Sequence, residues 1–306
     1  MASLISVVIT TRNEEKYLPQ VLSSVKELAD EILIVDIESR DNSVEVAKKF
    51  GARVISHKYI NYVEPVRNFG VSQAKGDWIL VLDPDEEVSP KLRATLKAIA
   101  KKPEKGKITY YAIPRKNIVF GKWIQGSRWW PDYKIRFFKK GTAIWSGEIH
   151  HEPKMVGEGK KMTANEEIAI IHYHYDSIEK FILWANRYAD VRCAALLKNG
   201  YSFQWEDLIR KPFGEFLSRY FFGKGYKDGL HGLALGLLQG FAEVLVLVKV
   251  WERQGFIPRD ISLTQFQDEA KSANKEFSYW LADSLIKTQN NPIEKFRLKL
   301  IRKLSS

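Results

Sequence analysis

Two aspartates, Asp83 and Asp85, follow the apolar run from Trp78 to Leu82, with Pro84 stiffening the turn between them. Carboxylates at the end of a strand are hard oxygen ligands that suit Mg²⁺ or Mn²⁺, ions that keep part of their water and share their shell with phosphate oxygens. In open α/β sheets the ligand crevice lies just beyond the carboxyl ends of the strands, so position and chemistry agree. The same pair also suits a solvated turn, or the start of a helix near Ser89 and Pro90. Glu148, His150, His151 and Glu152 form the densest group of acid-base side chains in the chain. A carboxylate held in a dry site has its pKa raised and can then take a proton from a hydroxyl near neutral pH. The plainer reading is a surface glutamate beside histidines satisfied by backbone carbonyls. His172 and His174 alternate within Ile168 to Tyr175, so on a strand both would point to one face. Four histidines without a cysteine pair make a poor zinc site, and a buried, hydrogen-bonded histidine is the ordinary alternative. Arg67 can fork onto two phosphate oxygens, or simply solvate a helix face. Trp129 and Trp130, with Trp123 and Trp145 near in sequence, could stack on the apolar face of a pyranose or fill a core. As neighbours on a strand, one of Trp129 and Trp130 should be buried and the other exposed.

These residues need elements to hold them, and the chain supplies an alternating pattern. Leu4 to Thr10 is a short apolar run, and Asn13 could cap a helix carrying Leu18, Val21, Leu22, Val25 and Leu28 on one face. Ile32 to Asp36 reads as a second strand, followed by a helix with Val44, Ala47 and Phe50 that Gly51 ends. Arg53 to Ser56, a helix near Val66 to Ala74, and the strand before Asp83 complete the series. Strands alternating with helices of this length predict right-handed βαβ units and a mostly parallel sheet.

The chain has 306 residues, 45% of them hydrophobic, enough for about two domains with real cores. Cys193 is the single cysteine, which excludes an intramolecular disulfide framework. Met1 leads into a strand-like run with no basic-then-apolar leader, so the expected location is cytoplasmic. The net charge of +11 points to anionic partners: nucleotide phosphates, an acidic membrane face or nucleic acid. No nucleic-acid-binding motif is present, so nucleic acid is not expected as a partner.

Ser6 to Glu15, Ile34 to Asp36 with Ser39 and Asp41, Arg67-Asn68, and Gly76 to Glu86 together resemble the family 2 glycosyltransferases. Trp130 to Gly141, followed by Trp145 to Glu152, is similar to the subgroup that adds a hexose to bacterial lipopolysaccharide core, the β-1,4-glucosyltransferase-like proteins. The resemblance runs from about residue 4 to about residue 255. It implies a GT-A fold, Rossmann-like with a mostly parallel sheet, and displacement with inversion at the anomeric carbon of a nucleotide sugar, taken as UDP-glucose. It also implies a divalent metal (Mg²⁺ or Mn²⁺) held by Asp85 with Asp83 and His172, with His174 the weaker candidate for the late histidine. Thr11, Arg12, Glu14, Asp36, Arg67, Asp83 and Arg136 would then face the donor, and Arg128, Trp129, Trp130, His150 and His151 the acceptor. Glu152 would be the base, with Glu148 its substitute. Family members often carry a second acidic residue after Asp36, where this chain has Ile37.

Beyond about Ser177 the periodicity is helical. Leu208 to Phe222 mixes basic and aromatic residues, and Leu230 to Val250 is the most apolar stretch, interrupted by His231, Gln239, Glu243 and Lys249 and weakened by four glycines. Of those glycines, Gly229 stands just before the stretch and Gly232, Gly236 and Gly240 within it, and the whole reads as a buried or interfacial helix rather than a membrane span. Asn291 to Ser306 reads as a basic amphipathic surface helix. The expected organisation is therefore a GT-A domain over residues 1–175 and a helical region over 176–306 that handles the acceptor and an anionic membrane surface. The expected acceptor is a glycan or glycolipid of the cell envelope such as lipopolysaccharide core. Two alternatives are a sugar transferase acting on polyprenyl phosphate and a nucleotide-sugar-binding protein without turnover.

Overall fold

The computed structural model describes residues 3–60, 64–101, 108–146 and 152–305. The chain divides into two compact units, Met1–Ile118 with Trp130–His174, and Val119–Trp129 with Tyr175–Ser306. Residues 119–129, which the sequence reading assigns to the first domain, thus belong to the second unit.

The first unit opens with β1 (Ile5–Thr11), α1 (Leu18–Val25), β2 (Glu31–Asp36), α2 (Ser43–Lys49), β3 (Arg53–Ser56), α3 (Glu64–Gln73) and β4 (Trp78–Leu82). These strands pair in parallel in the order β3-β2-β1-β4, which brings the carboxyl ends of β1, β2 and β4 side by side: Thr11 lies opposite Asp36, and Ile9 opposite Leu82. Every residue of β1 is buried, as expected of a strand with helices on both faces. Its side chains alternate between two cores: Ile5, Val7 and Ile9 pack with Leu18, Leu22 and Leu96, whereas Val8 packs with Val35, Val66 and Val71. Gly51, at φ +77°, ends α2 in the left-handed conformation that glycine adopts without strain. Gly70 lets α3 lie close on the sheet, because a Cβ there would come within 2.8 Å of Val8 and Val35 side-chain carbons.

After β4 the chain forms β5 (Glu86–Val88), α4 (Pro90–Lys101) and β6 (Ile108–Val119), then β7 (Lys122–Trp123) in the second unit. It returns through β8 (Asp132–Lys139), β9 (Ala143–Ile144), β10 (Lys154–Met155), β11 (Glu158–Lys161) and β12 (Ile170–Tyr175). The sheet continues past β4 as β8-β6-β12-β5, with β8 antiparallel to both β4 and β6, and β12 antiparallel to β5. The fold is α/β, a Rossmann-like parallel half extended by antiparallel strands, consistent with GT-A. Asn13 is not a helix cap: it sits at φ +57°, and its side-chain oxygen accepts from the backbone of Arg40 at 2.7 Å, tying the loop after β1 to the loop after β2.

The second unit is mainly helical: α5 (Ile178–Lys198), α6 (Asp207–Leu217), α7 (Leu230–Arg253), α8 (Leu263–Thr288) and α9 (Pro292–Leu304). Ser177, Ser262 and Asn291 cap α5, α8 and α9 through their side chains, and Gln265 completes a capping box at Ser262. α7 packs against α5 and α6, and is long and apolar enough to cross a membrane by length and composition. The glycines that weaken its helix propensity serve packing instead. Gly232, Gly236 and Gly240 are buried, and a Cβ on Gly240 would stand 2.9 Å from the carbonyl oxygen of Pro212 in α6.

Candidate donor site at the ends of the parallel strands

Asp83 and Asp85, brought to the end of β4, have different surroundings. Arg67 reaches Asp83 Oδ1 from α3 at 2.5 Å, and Arg136 reaches Oδ2 from β8 at 2.5 Å. The turn is held from behind, since the backbone N–H of Asp83 donates to Glu86 Oε2 at 3.0 Å. Glu86 is itself buried and accepts from Arg136 at 2.8 Å and Arg115 at 3.1 Å. Burial alone would raise the pKa of Asp83, but the fields of Arg136, Arg67 and Arg115 outweigh it and hold the carboxylate well below its usual range. Both of its oxygens thus face guanidinium groups, and Asp83 positions Arg67 and Arg136 as much as any ligand.

Asp85 stands beside His172. The Nε2 atom of His172 lies 3.7 Å from Asp85 Oδ1, and the backbone N–H of Tyr173 donates to the Asp85 carbonyl at 2.9 Å. His172 is buried, and its Nδ1 meets Asn117 Oδ1 at 2.6 Å. Asn117 gives its own N–H to Asp132, so its oxygen is the acceptor and His172 Nδ1 carries the proton. Burial, then the positive charge of Arg115, pushes the pKa of His172 well below its usual value, so the ring is neutral. Nε2 is therefore the unprotonated nitrogen: it is the acceptor toward His174 Nδ1 at 3.3 Å and lies 3.7 Å from Asp85 Oδ1. A neutral imidazole nitrogen beside a carboxylate, oriented by a side-chain amide on its far nitrogen, is a donor set that fits a divalent cation. Among the described residues no group of three or more histidine, cysteine, aspartate or glutamate side chains converges, so the protein would offer two ligands and leave the rest to phosphate oxygens and water.

Around this pair lie further polar groups. Asp36 at the end of β2 is buried and faces the backbone N–H of Ser39. The hydroxyls of Thr10 and Thr11 and the Nε of Arg67 and Arg136 are buried and have no hydrogen-bond partner among the described residues, leaving donors near the strand ends. Arg12 is exposed and lies over the ring of Tyr59 at 3.8 Å, a cation–π contact. The backbone N–H of Glu14 donates to Ser43 Oγ at 2.8 Å, which fixes the loop after β1. Ile37, directly after Asp36, is buried in the core with Val66 and Val71 of α3.

The remaining candidates divide. Glu148, His150 and His151 lie outside the described residues. Glu152 is not in a dry pocket: its side chain is 49% exposed and lies 3.8 Å from Lys134 Nζ. Trp129 and Trp130 sit in a turn rather than on a strand, so the expected alternation fails and both are half-buried. Trp129 and Arg128 belong to the second unit, where Arg128 donates to Ser218 and Trp129 packs edge-on against Tyr175, whereas Trp130 belongs to the first. Trp145 is buried against Phe138, and Asn68 holds its backbone by two hydrogen bonds of 2.9 Å. The sequence reading missed Glu86, Arg115, Asn117 and Asp132. Arg115 and Asn117 share one face of β6 with Tyr111 and Ile113, and two polar groups on that face were a readable signal. Glu86 gives no such signal.

The model for glycosyl transferase family 2 matches residues 6–155. An uncharacterized glycosyltransferase of Rickettsia typhi is 30% identical over 260 residues, 81% of this chain and 87% of that one. Another, from Rickettsia conorii, is 28% identical over 258 residues, 81% and 90% of the two chains. Among solved structures, glucosyl-3-phosphoglycerate synthase from Mycobacterium tuberculosis is similar over 38% of this chain and 44% of that one, at 23% identity and a TM-score of 0.32. The family model and a relative matched along most of both chains agree with the strand-end geometry, and on them this chain belongs to glycosyl transferase family 2.

Proposed function

We propose that the protein is an inverting hexosyltransferase that takes its sugar from a nucleotide sugar, UDP-glucose in the first instance. The hexose passes to a glycan or glycolipid of the cell envelope such as lipopolysaccharide core. The observation that carries this reading is the oriented pair of Asp85 and His172, set beside two arginines at the carboxyl end of β4. A divalent cation held by Asp85 and His172 would neutralise charge on the departing nucleotide diphosphate. Arg67, steadied by Asp83, would face the diphosphate with its remaining donors, and Thr11 and Asp36 would bind the nucleoside end. Asn117 keeps His172 in the tautomer that offers Nε2. Glu152 would take the acceptor hydroxyl's proton on the face of the sugar opposite the leaving group, with Glu148 as substitute. The acceptor side is assigned to Arg128, Trp129, Trp130, His150 and His151 on the sequence resemblance.

Donor hydrolysis and transfer, followed with UDP-, GDP- and dTDP-hexoses in Mg²⁺ or Mn²⁺, tests the proposal. It predicts turnover of a UDP-hexose that stops on chelation, and a product of inverted anomeric configuration. Retained configuration, or turnover confined to another nucleotide, would refute the mechanism or the donor respectively.

A further inference from the structure

The last helix, α9, has two apolar faces, and one of them is largely exposed. At 3.6 residues per turn, Ile293, Phe296, Leu300 and Leu304 fall within an arc of about 80°. They are exposed by 78%, 64%, 47% and 80% respectively. On the other side Leu298 and Ile301 are half-buried where α9 packs on α8, and Arg302 donates to Asp283 of α8 at 2.8 Å, which fixes the helix by that face. The outward stripe is therefore presented by a helix already folded and capped, not by one that must form on binding.

Charge flanks the stripe on both edges. Arg297 borders it on one side, Lys303 and Lys299 on the other, and Lys295 lies further round. All four are exposed. Glu294 is the single acidic residue of the helix. An apolar stripe edged by long basic side chains fits the boundary between headgroups and acyl chains of an anionic bilayer: the stripe enters the acyl region while the charged ends reach lipid phosphates. A protein partner would need an apolar groove lined with acids, whereas an anionic bilayer offers both features at every point of its surface.

We propose that α9 docks the protein on an anionic lipid surface, with Ile293, Phe296, Leu300 and Leu304 inserted and Arg297, Lys299 and Lys303 at the headgroups. Docking depends on this helix alone and not on the identity of the donor sugar, so the two readings fail separately.

The test is sedimentation of the full chain with vesicles of phosphatidylcholine, with and without phosphatidylglycerol. The parent protein should partition onto the anionic vesicles and be released by salt, since the attraction decays within a Debye length. Phe296→Ser with Leu300→Ser, which removes inserted apolar area, and separately Lys299→Glu with Lys303→Glu, which removes two basic residues worth about a fivefold factor each, should each lower partitioning by about tenfold or more. All four positions are exposed, so circular dichroism and the melting temperature should match the parent. Equal partitioning of the parent onto neutral and anionic vesicles, or parental partitioning of either variant, would overturn the proposal. So would a dimer that the Phe296→Ser and Leu300→Ser change dissociates while the parent ignores vesicles, which would give the stripe to a second copy of the chain.

Discussion

The two units use charge in opposite ways. In the first, Asp83, Glu86, Asp132, Arg115 and Arg136 form a nest whose members are mostly withdrawn from water: the Glu86 side chain is 0% exposed and that of Arg136 6%. In the second, the basic ends of the pairs on α8 and α9 are more open to water, with Arg302 41% exposed where it meets Asp283, itself 14% exposed. Burying charge is expensive, and a buried pair rarely repays its desolvation compared with apolar packing. The nest is better understood as fixing positions. It holds the turn after β4, the guanidinium of Arg67 and the ring of His172 in one arrangement, as the proposed site for phosphate and a cation would require. In the second unit the pair of Arg302 with Asp283 ties α9 to α8, while Arg297, Lys299 and Lys303 of α9 stand exposed at its surface.

The largest expected effect sharpens this contrast at the rim of the first unit. Glu152 is half-exposed, so its neutralisation in Glu152→Gln should leave the melting temperature almost unchanged. If it is the base, turnover should nevertheless fall by about 10²- to 10⁴-fold with donor affinity retained. Steady-state kinetics and donor titration separate the two readouts. Near-parental turnover would pass the role to Glu148, and then to His150 or His151.

Next comes the nest itself. Arg136→Met removes a guanidinium shared by Asp83 and Glu86 and leaves two carboxylates short of a partner, with an expected loss of about 3 to 5 kcal/mol in urea unfolding. A loss below about 1 kcal/mol would mean that the nest is no more than a solvated surface cluster.

A smaller effect should be visible in acid. Burial would raise the pKa of Asp132, but Arg115 and Lys134 outweigh it and hold the carboxyl below its usual value. A group whose pKa is depressed on folding contributes stability that is present above its unfolded value, about 3.9, and disappears as pH falls through the folded one. Parent protein should therefore lose stability more steeply below about pH 4 than Asp132→Asn does. Parallel acid profiles would show that Asp132 is not held by Arg115 in solution.

The smallest effect belongs to the second unit. Arg302→Ala breaks a half-exposed pair with Asp283 and should cost less than about 1 kcal/mol, and less still in high salt. A cost as large as that of Arg136→Met would erase the distinction between the units.

Much of the frame was legible because its signals are local. Each parallel strand is a short apolar run ended by a turn residue, and each helix between them repeats its apolar side chains at helical spacing. Asp36, Asp83 and Asp85 stand where strand ends predict. What was not legible depends on partners distant in the chain. Glu86 reads as one more charge after an acidic turn until β6 and β8 deliver Arg115 and Arg136 to it. Trp129 and Trp130 read as strand neighbours although Gly126 and Pro131 flank them, and the left-handed Ser127 and Arg128 turn the chain there. The exposed stripe of α9 was legible as an amphipathic pattern, but which of its apolar residues face α8 is settled by the packing alone.

In the proposed mechanism Asp85 and His172 together hold a divalent cation against a nucleotide diphosphate. Calorimetric titration of UDP into the parent and the Asp85→Ala protein, with Mn²⁺ and again with chelator, tests it most directly. The account predicts that the parent's UDP binding weakens on chelation, and that Asp85→Ala binds weakly in both conditions. An Asp85→Ala protein that binds UDP as tightly as the parent, with the same dependence on Mn²⁺, would contradict it.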